Sequence, residues 1–154
     1  MSTRIGVISD THGLIRREAL EALKNSELIV HAGDVGSPEV LAALRKIAPV
    51  IAVRGNNDKG EWADVLPRTE VVHVGNFHLY VVHDANELDL DPAAAGFHAV
   101  VAGHSHRPKI EEKERVLYFN PGSAGPRRFK LPISVGRLML LNGRLRGEII
   151  ELKV

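Results

Sequence analysis

Asp10 and His12 stand two positions apart in Ser9-Asp10-Thr11-His12-Gly13, and side chains of the same chemistry recur along the chain. His31-Ala32-Gly33-Asp34 supplies an imidazole and a carboxylate, and Arg54-Gly55-Asn56-Asn57-Asp58 adds amide oxygens and another carboxylate. His83-Asp84 is a further pair, and Gly103-His104-Ser105-His106 carries two imidazoles. Carboxylate, amide oxygen and imidazole are donors for hard or borderline divalent ions such as Mn²⁺, Fe²⁺, Co²⁺, Ni²⁺ or Zn²⁺. The chain has no cysteine, which excludes a thiolate zinc site, an iron–sulfur centre, a disulfide framework and a thiol nucleophile. The candidates Asp10, His12, Asp34, Asn56, His83, His104 and His106 are too many for one tetrahedral ion. Two ions sharing a carboxylate would use them all. Ions held about 3.5–4 Å apart form the usual clamp for in-line displacement at phosphorus.

The elements expected around these residues gather them at one place. Residues 4–9 are short, apolar and β-branched, as a buried strand should be. The spacing of apolar positions over 14–24 predicts an amphipathic helix. Residues 27–31 form a second strand, and Ser37-Pro38-Glu39 starts a second helix with a hydroxyl N-cap, proline at the first helical position and a carboxylate in the first turn. That helix runs to about Ile47 and is followed by a strand at 49–53. A β-α-β-α-β order predicts a parallel sheet with helices packed on it.

The second half reads as strands: 70–74 and 77–83 about a Gly75-Asn76 turn, then 98–102 and 116–119. A hairpin of 133–141 and 144–153 closes the chain on Asn142-Gly143, a dipeptide suited to a type I′ turn. Five of these strands finish on Asp, His or Asn, usually beside glycine. In parallel α/β sheets the carboxyl ends share one edge, where ligands bind. No linker, repeat or charge block interrupts the chain, so residues 1–154 read as a single domain.

Asp10-Thr11-His12, Gly33-Asp34, Gly55-Asn56-Asn57-Asp58, a strand-end His83 and Gly103-His104-Ser105-His106, in that order, resemble the signature of the calcineurin-like metallophosphoesterases. Asn120-Pro121-Gly122-Ser123 with Pro126-Arg127 narrows the resemblance to the small single-domain bacterial and archaeal phosphodiesterases of that superfamily. The resemblance implies an α/β fold, a four-layer αββα sandwich of two mixed sheets. It implies a first metal held by Asp10, His12 and His106, a second by Asn56, His83 and His104, and Asp34 bridging both. The implied cofactor is two divalent ions, manganese first, with nickel, cobalt, iron or zinc as alternatives. The implied reaction is phosphodiester hydrolysis, with a bridging hydroxide positioned by Asp34 attacking phosphorus in line.

Two positions depart from the family pattern. Many members carry histidine where Asn57 stands, and it can protonate the leaving group; Asn57 cannot, and general acid catalysis is typically worth ~10²–10⁴-fold. Asp84 stands where the family usually has glycine. Asn57 and Arg127 are candidate substrate contacts, the latter because a guanidinium can grip phosphate oxygens in pairs.

Several of these residues also admit plainer roles. Asp10 and Asp34 each precede a helix and could be N-caps. Asn56-Asn57-Asp58 could be only a turn, with Asp58 bracing it. His31 could orient a ligand from behind or be structural. His73, His78 and His98 lack companion motifs and are read as structural or surface residues.

Twenty basic and nineteen acidic residues give a net charge of +1, which offers no footprint for nucleic acid or anionic membrane. The N-terminal apolar run is too short for a secretory segment and no stretch suits a membrane span, so the cytoplasm is the expected location. A phosphodiester is the expected partner, and the apolar, β-rich second half could support a homo-oligomer. The rival reading is a non-catalytic scaffold of the same fold, resembling the retromer subunit of vesicle-sorting complexes. Retention of all seven ligand types argues against it.

Overall fold

A computed structural model describes residues 2–154. The chain builds two five-stranded sheets. In the first, β1 (Ser2–Ile8), β2 (Leu28–His31) and β3 (Val50–Ala52) run parallel, and β9 (Ser134–Leu141) and β10 (Arg144–Glu151) join antiparallel in the order β10-β9-β1-β2-β3. In the second, β5 (Phe77–Val82), β6 (Ala99–Val101) and β8 (Val116–Asn120) run parallel. Here β4 (Thr69–Val74) and β7 (Lys109–Lys113) form antiparallel edges, in the order β4-β5-β6-β8-β7. Among the described residues no helix is long and apolar enough to cross a membrane.

Strand alternation sends successive side chains to opposite faces, and this sorts the core into layers. Ile5, Val7, Val30 and Val53 of the first sheet meet Leu79, Val81, Val101 and Phe119 of the second. On the outer face of the first sheet, Ile8 and Ile29 pack under α1 (Arg17–Ala22) and α2 (Pro38–Arg45), through Ala19, Val40, Leu41 and Leu44. A short α3 (Glu61–Asp64) follows β3. The outer layer of the second sheet is thin. A 3-10 turn at Ala85–Glu87 and the chain through Leu88, Leu90 and Phe97 cover Tyr80, Val82 and Val100.

Several boundaries differ from the sequence reading for local reasons. The first helix starts at Arg17 rather than 14, because the preceding residues complete the turn after β1 (Leu14 N–H to Thr11 carbonyl, 3.0 Å) and Arg16 reaches the Gly125 carbonyl. Ser37 and Pro38 occupy the N-cap and first position of α2 as expected, but the Ser37 hydroxyl makes no cap bond. Strand β7 was not expected. Lys-Ile-Glu-Glu-Lys has no apolar alternation, as suits a charged edge that resists pairing with other chains. Its turn to β8 uses Glu114 and Arg115 at φ 50° and 66°, residue types that carry no turn signal. By contrast Asn142 and Gly143, at φ 52° and 73°, form the turn their types announce.

Phe119 ties the two sheets together. Its ring lies against Gly136 of β9 and Gly147 of β10, where an added Cβ would approach ring carbons to 2.5 and 2.8 Å. Phe119→Ala should therefore lower the unfolding free energy by about 3–5 kcal/mol, read as a shift of the denaturant midpoint.

Candidate metal centre

All the parallel strands of both sheets end at the same edge, so the loops after β1, β2, β3, β5 and β6 converge there. Asp10 is fully buried at the centre of this convergence. Its Oδ2 accepts from the Ser9 hydroxyl (2.7 Å) and the His104 backbone N–H (3.0 Å). Its Oδ1 has no hydrogen-bond partner and faces three imidazole Nε2 atoms: His106 at 3.4 Å, His83 at 3.8 Å and His12 at 4.0 Å. Asp34 Oδ2 lies 3.4 Å from His83 Nε2 and 3.8 Å from His12 Nε2. The ligand atoms of Asp10, His12 and His106 converge within 4.8 Å, as do those of Asp10, Asp34 and His83.

The surroundings fix which ring nitrogen is free. His83 Nδ1 donates to the Ala32 carbonyl at 2.8 Å, which leaves Nε2 aimed at the two carboxylates, buried and without a hydrogen-bond partner. His31 behaves differently. The Gly33 N–H donates to its Nδ1 (3.1 Å), so Nε2 carries the proton toward Thr11 Oγ1 (3.0 Å), whose hydroxyl in turn donates to the Val35 carbonyl (2.7 Å). Both His31 nitrogens are thus occupied in joining the loops after β1 and β2. Asp58 accepts from the backbone N–H groups of Val35, Gly36 and Gly55 at 2.9–3.1 Å, clamping the third loop against the second.

Asn57 donates to Asp34 through both its backbone N–H (to Oδ1) and its side-chain Nδ2 (to Oδ2), each at 2.9 Å. Asn56, beside it, is exposed. His104 is less enclosed than the other imidazoles; its ring lies 5.3 Å from that of His83, and its Nε2 is 3.7 Å from Asp84 Oδ2. Asp84 also accepts from the Asn86 N–H. Arg127 is exposed and donates to the Leu131 carbonyl at 3.1 Å, closing its own loop. Ser123, in the Asn-Pro-Gly-Ser segment, donates to the Asp10 carbonyl at 3.0 Å. The bonds made by Ser9, Thr11 and Ser123 are not legible in the sequence, although Thr11 and Ser123 stand within the motifs that carry the resemblance.

The backbone is strained at the same places. Asp10, His12, Asp34, His104 and His106 all have φ between 49° and 73°, a left-handed conformation that costs a non-glycine residue of order 1–3 kcal/mol. Gly103 is needed for space: a Cβ there would collide with Ser9 Oγ and come within 2.6 Å of Asp10 Oδ2.

The electrostatics follow from crowding two carboxylates among imidazoles. Burial alone would raise Asp34, but His83 and the two Asn57 donors hold it far below the usual carboxylate range. Burial opposes the charged form of Asp10 too, yet His106, His83 and the Ser9 hydroxyl keep it lowered. His83, against the desolvation of its site, is raised to about 9 by Asp34 and Asp10. His31, wholly buried, is pushed down to about 4 by desolvation. Buried carboxylate oxygens and imidazole nitrogens that converge without hydrogen bonds are what a divalent cation would satisfy, taking the place of the His83 proton, so this donor set fits metal.

An enclosed pair of sheets with a carboxylate–imidazole cluster at their shared edge defines a class of metal-binding α/β sandwich. Residues 3–143 match the calcineurin-like phosphoesterase superfamily domain, and the chain belongs to that superfamily. It is 35% identical to a probable metallophosphoesterase of Methanothermobacter thermautotrophicus, over 96% of this chain and 91% of that one. It is 29% identical to the phosphodiesterase YfcE of Escherichia coli, over 84% of each. Among solved structures it resembles an archaeal phosphodiesterase (TM-score 0.80, 25% identity, 96% of this chain and 100% of that one). It also shares its fold with Entamoeba histolytica Vps29 complexed with zinc (TM-score 0.75, 23% identity, 97% and 99%).

The shifts predict how chelator-treated protein responds to pH. His31 takes up its proton more readily unfolded, so stability rises with pH from about 4 to about 6.5. His83 holds its proton more tightly folded, so its contribution is complete below about 6.5 and is lost as pH rises through about 9. Denaturant midpoints of the stripped protein should therefore peak near pH 6.5. A steady rise to pH 9 would show that His83 does not sit between the two carboxylates.

Proposed function

We propose that the chain is a dinuclear metal-dependent phosphodiesterase. The observation that carries this reading is Asp10 Oδ1, buried and without a hydrogen bond among three imidazole nitrogens, with Asp34 Oδ2 facing one imidazole on either side. In this reading Asp10, His12 and His106 would hold one ion, and Asn56, His83 and His104 would hold the other. Asp34 would be shared by the two, because its Oδ2 lies beside His12 of the first set and His83 of the second. The ions, when bound, would neutralise phosphate oxygens and lower the pKa of water at the site; manganese is our first choice.

The chain's own residues supply the rest. Asn57 fixes both oxygens of Asp34, so the carboxylate is oriented before substrate arrives. The Ala32 carbonyl orients His83, the usual way an outer partner sets a metal-binding imidazole. A cleft of about 370 Å³ beside Asn56 is lined by Arg54, which pairs with Asp64 at 3.3 Å, and by Lys59 and Arg68, whose charges suit the anionic remainder of a phosphodiester. On the other side, His104, Asn86 and Tyr118 line a smaller cleft of about 160 Å³ that would take the ester group. Asn57 can orient but cannot protonate a leaving group, so diesters with acidic leaving groups are favoured. Alkyl esters should be slower by ~10²–10⁴-fold.

The test is hydrolysis of bis-p-nitrophenyl phosphate by chelator-stripped protein resupplied with Mn²⁺, Ni²⁺, Co²⁺, Zn²⁺ or Mg²⁺. Turnover should return with metal and be abolished in Asp34→Ala, whose circular dichroism should match the parent. Folded protein inert with every ion would favour a scaffold role instead.

A further inference from the structure

A third cleft, of about 730 Å³, opens between the sheets at the end opposite the metal residues. Its walls are the beginnings of strands rather than their ends: Phe77 starts β5 and His98 immediately precedes β6. The β7–β8 turn and the β9–β10 turn close it from the other side. The volume falls within the roughly 300–1,000 Å³ of small-molecule sites.

Its charge is unbalanced. Arg115, Arg144 and Arg146 line it against a single carboxylate, Glu112. Among the described residues, none of the three guanidiniums pairs with an acid, Glu112 included. β10 is the edge strand of its sheet, and Arg144 and Arg146, on its face opposite Leu145, border the cleft along that edge. Arg115 is held in a left-handed turn at φ 66°. Three planar donors against one carboxylate leave an excess of positive charge that suits a phosphate, which guanidinium grips in pairs of bonds.

The rest of the lining is apolar and aromatic. Phe77 and His98 pack edge to face with centroids 4.8 Å apart, beside Leu117 and Leu145. The His78 N–H donates to His98 Nδ1 at 3.0 Å, so the neutral ring keeps its proton on Nε2 as a donor. A planar ring carried on a multiply charged phosphate would satisfy both halves of the cleft.

We propose that this cleft binds a nucleotide-class ligand, its phosphates on Arg115, Arg144 and Arg146 and its ring against Phe77, His98 and Leu117. The proposal is independent of the metal reading, since no candidate metal residue lines the cleft.

The test is calorimetric titration of the full-length protein with ADP, and separately with pyrophosphate, without added divalent ions. The parent is compared with R115A/R144A, R146Q and D34A. All three arginines are exposed, so their variants should fold, as circular dichroism would verify. ADP should bind the parent and D34A alike. Affinity should fall at least about tenfold in R115A/R144A and in the same direction in R146Q, as loss of charge-assisted contacts requires. Pyrophosphate should bind more weakly than ADP, because it lacks the ring. Unchanged affinity in the arginine variants, loss of binding in D34A alone, equal affinity for pyrophosphate, or no binding at all would each overturn the proposal. So would a parent that sediments as a dimer and becomes monomeric in R115A/R144A, since a second copy would then fill the cleft.

Discussion

The structure turns on burying two carboxylates together. Asp10 and Asp34 are almost wholly removed from water, and an unpaired buried charge carries a penalty of several kcal/mol. Every feature of the shared strand edge answers that penalty in part. Imidazoles crowd the free oxygens, Ser9 and Asn57 donate to the others, and backbone N–H groups converge on Asp58 to hold the loops in register. What protein groups leave without a hydrogen bond among these side chains is Asp10 Oδ1, His83 Nε2 and His106 Nδ1. Strained backbone at five of the surrounding residues adds to the cost. Such strain persists only where the surrounding structure over-determines it, and it collects at functional sites.

The rest of the fold serves that edge. Parallel strands in both sheets bring their carboxyl ends to one side, and the inter-sheet core holds the two sets of loops in contact. Phe119 shows how closely the halves fit, since its ring occupies space that only glycine leaves on β9 and β10. A hinge between the sheets would pull His83 and His106 away from Asp10 and His12. Packing between the sheets is therefore part of the site.

Much of this was legible in the sequence because glycine and metal-donor residues at strand ends are an unusual combination. The ordered motifs from Asp10 to His106 indicated both the fold class and the cluster. The supporting bonds were less visible. Nothing in the types or spacing of Ser9, Thr11 and Ser123 marks them as donors to the loops they bind. The pairing of Asn57 with Asp34 joins residues far apart in the chain, and only the fold brings them together. Strand β7 was invisible for a different reason: an edge strand that faces solvent has no apolar period to read. His31 could not be assigned until both its ring nitrogens had partners, and it proves to join loops rather than face the cluster.

Anomalous diffraction from crystals equilibrated with Mn²⁺ tests the central claim most directly. The account predicts two peaks about 3.5–4 Å apart, one bounded by Asp10, His12 and His106 and the other by His83, His104 and Asn56, with Asp34 touching both. A single peak, or none near Asp10 Oδ1, would contradict the two-ion centre on which the proposed activity rests.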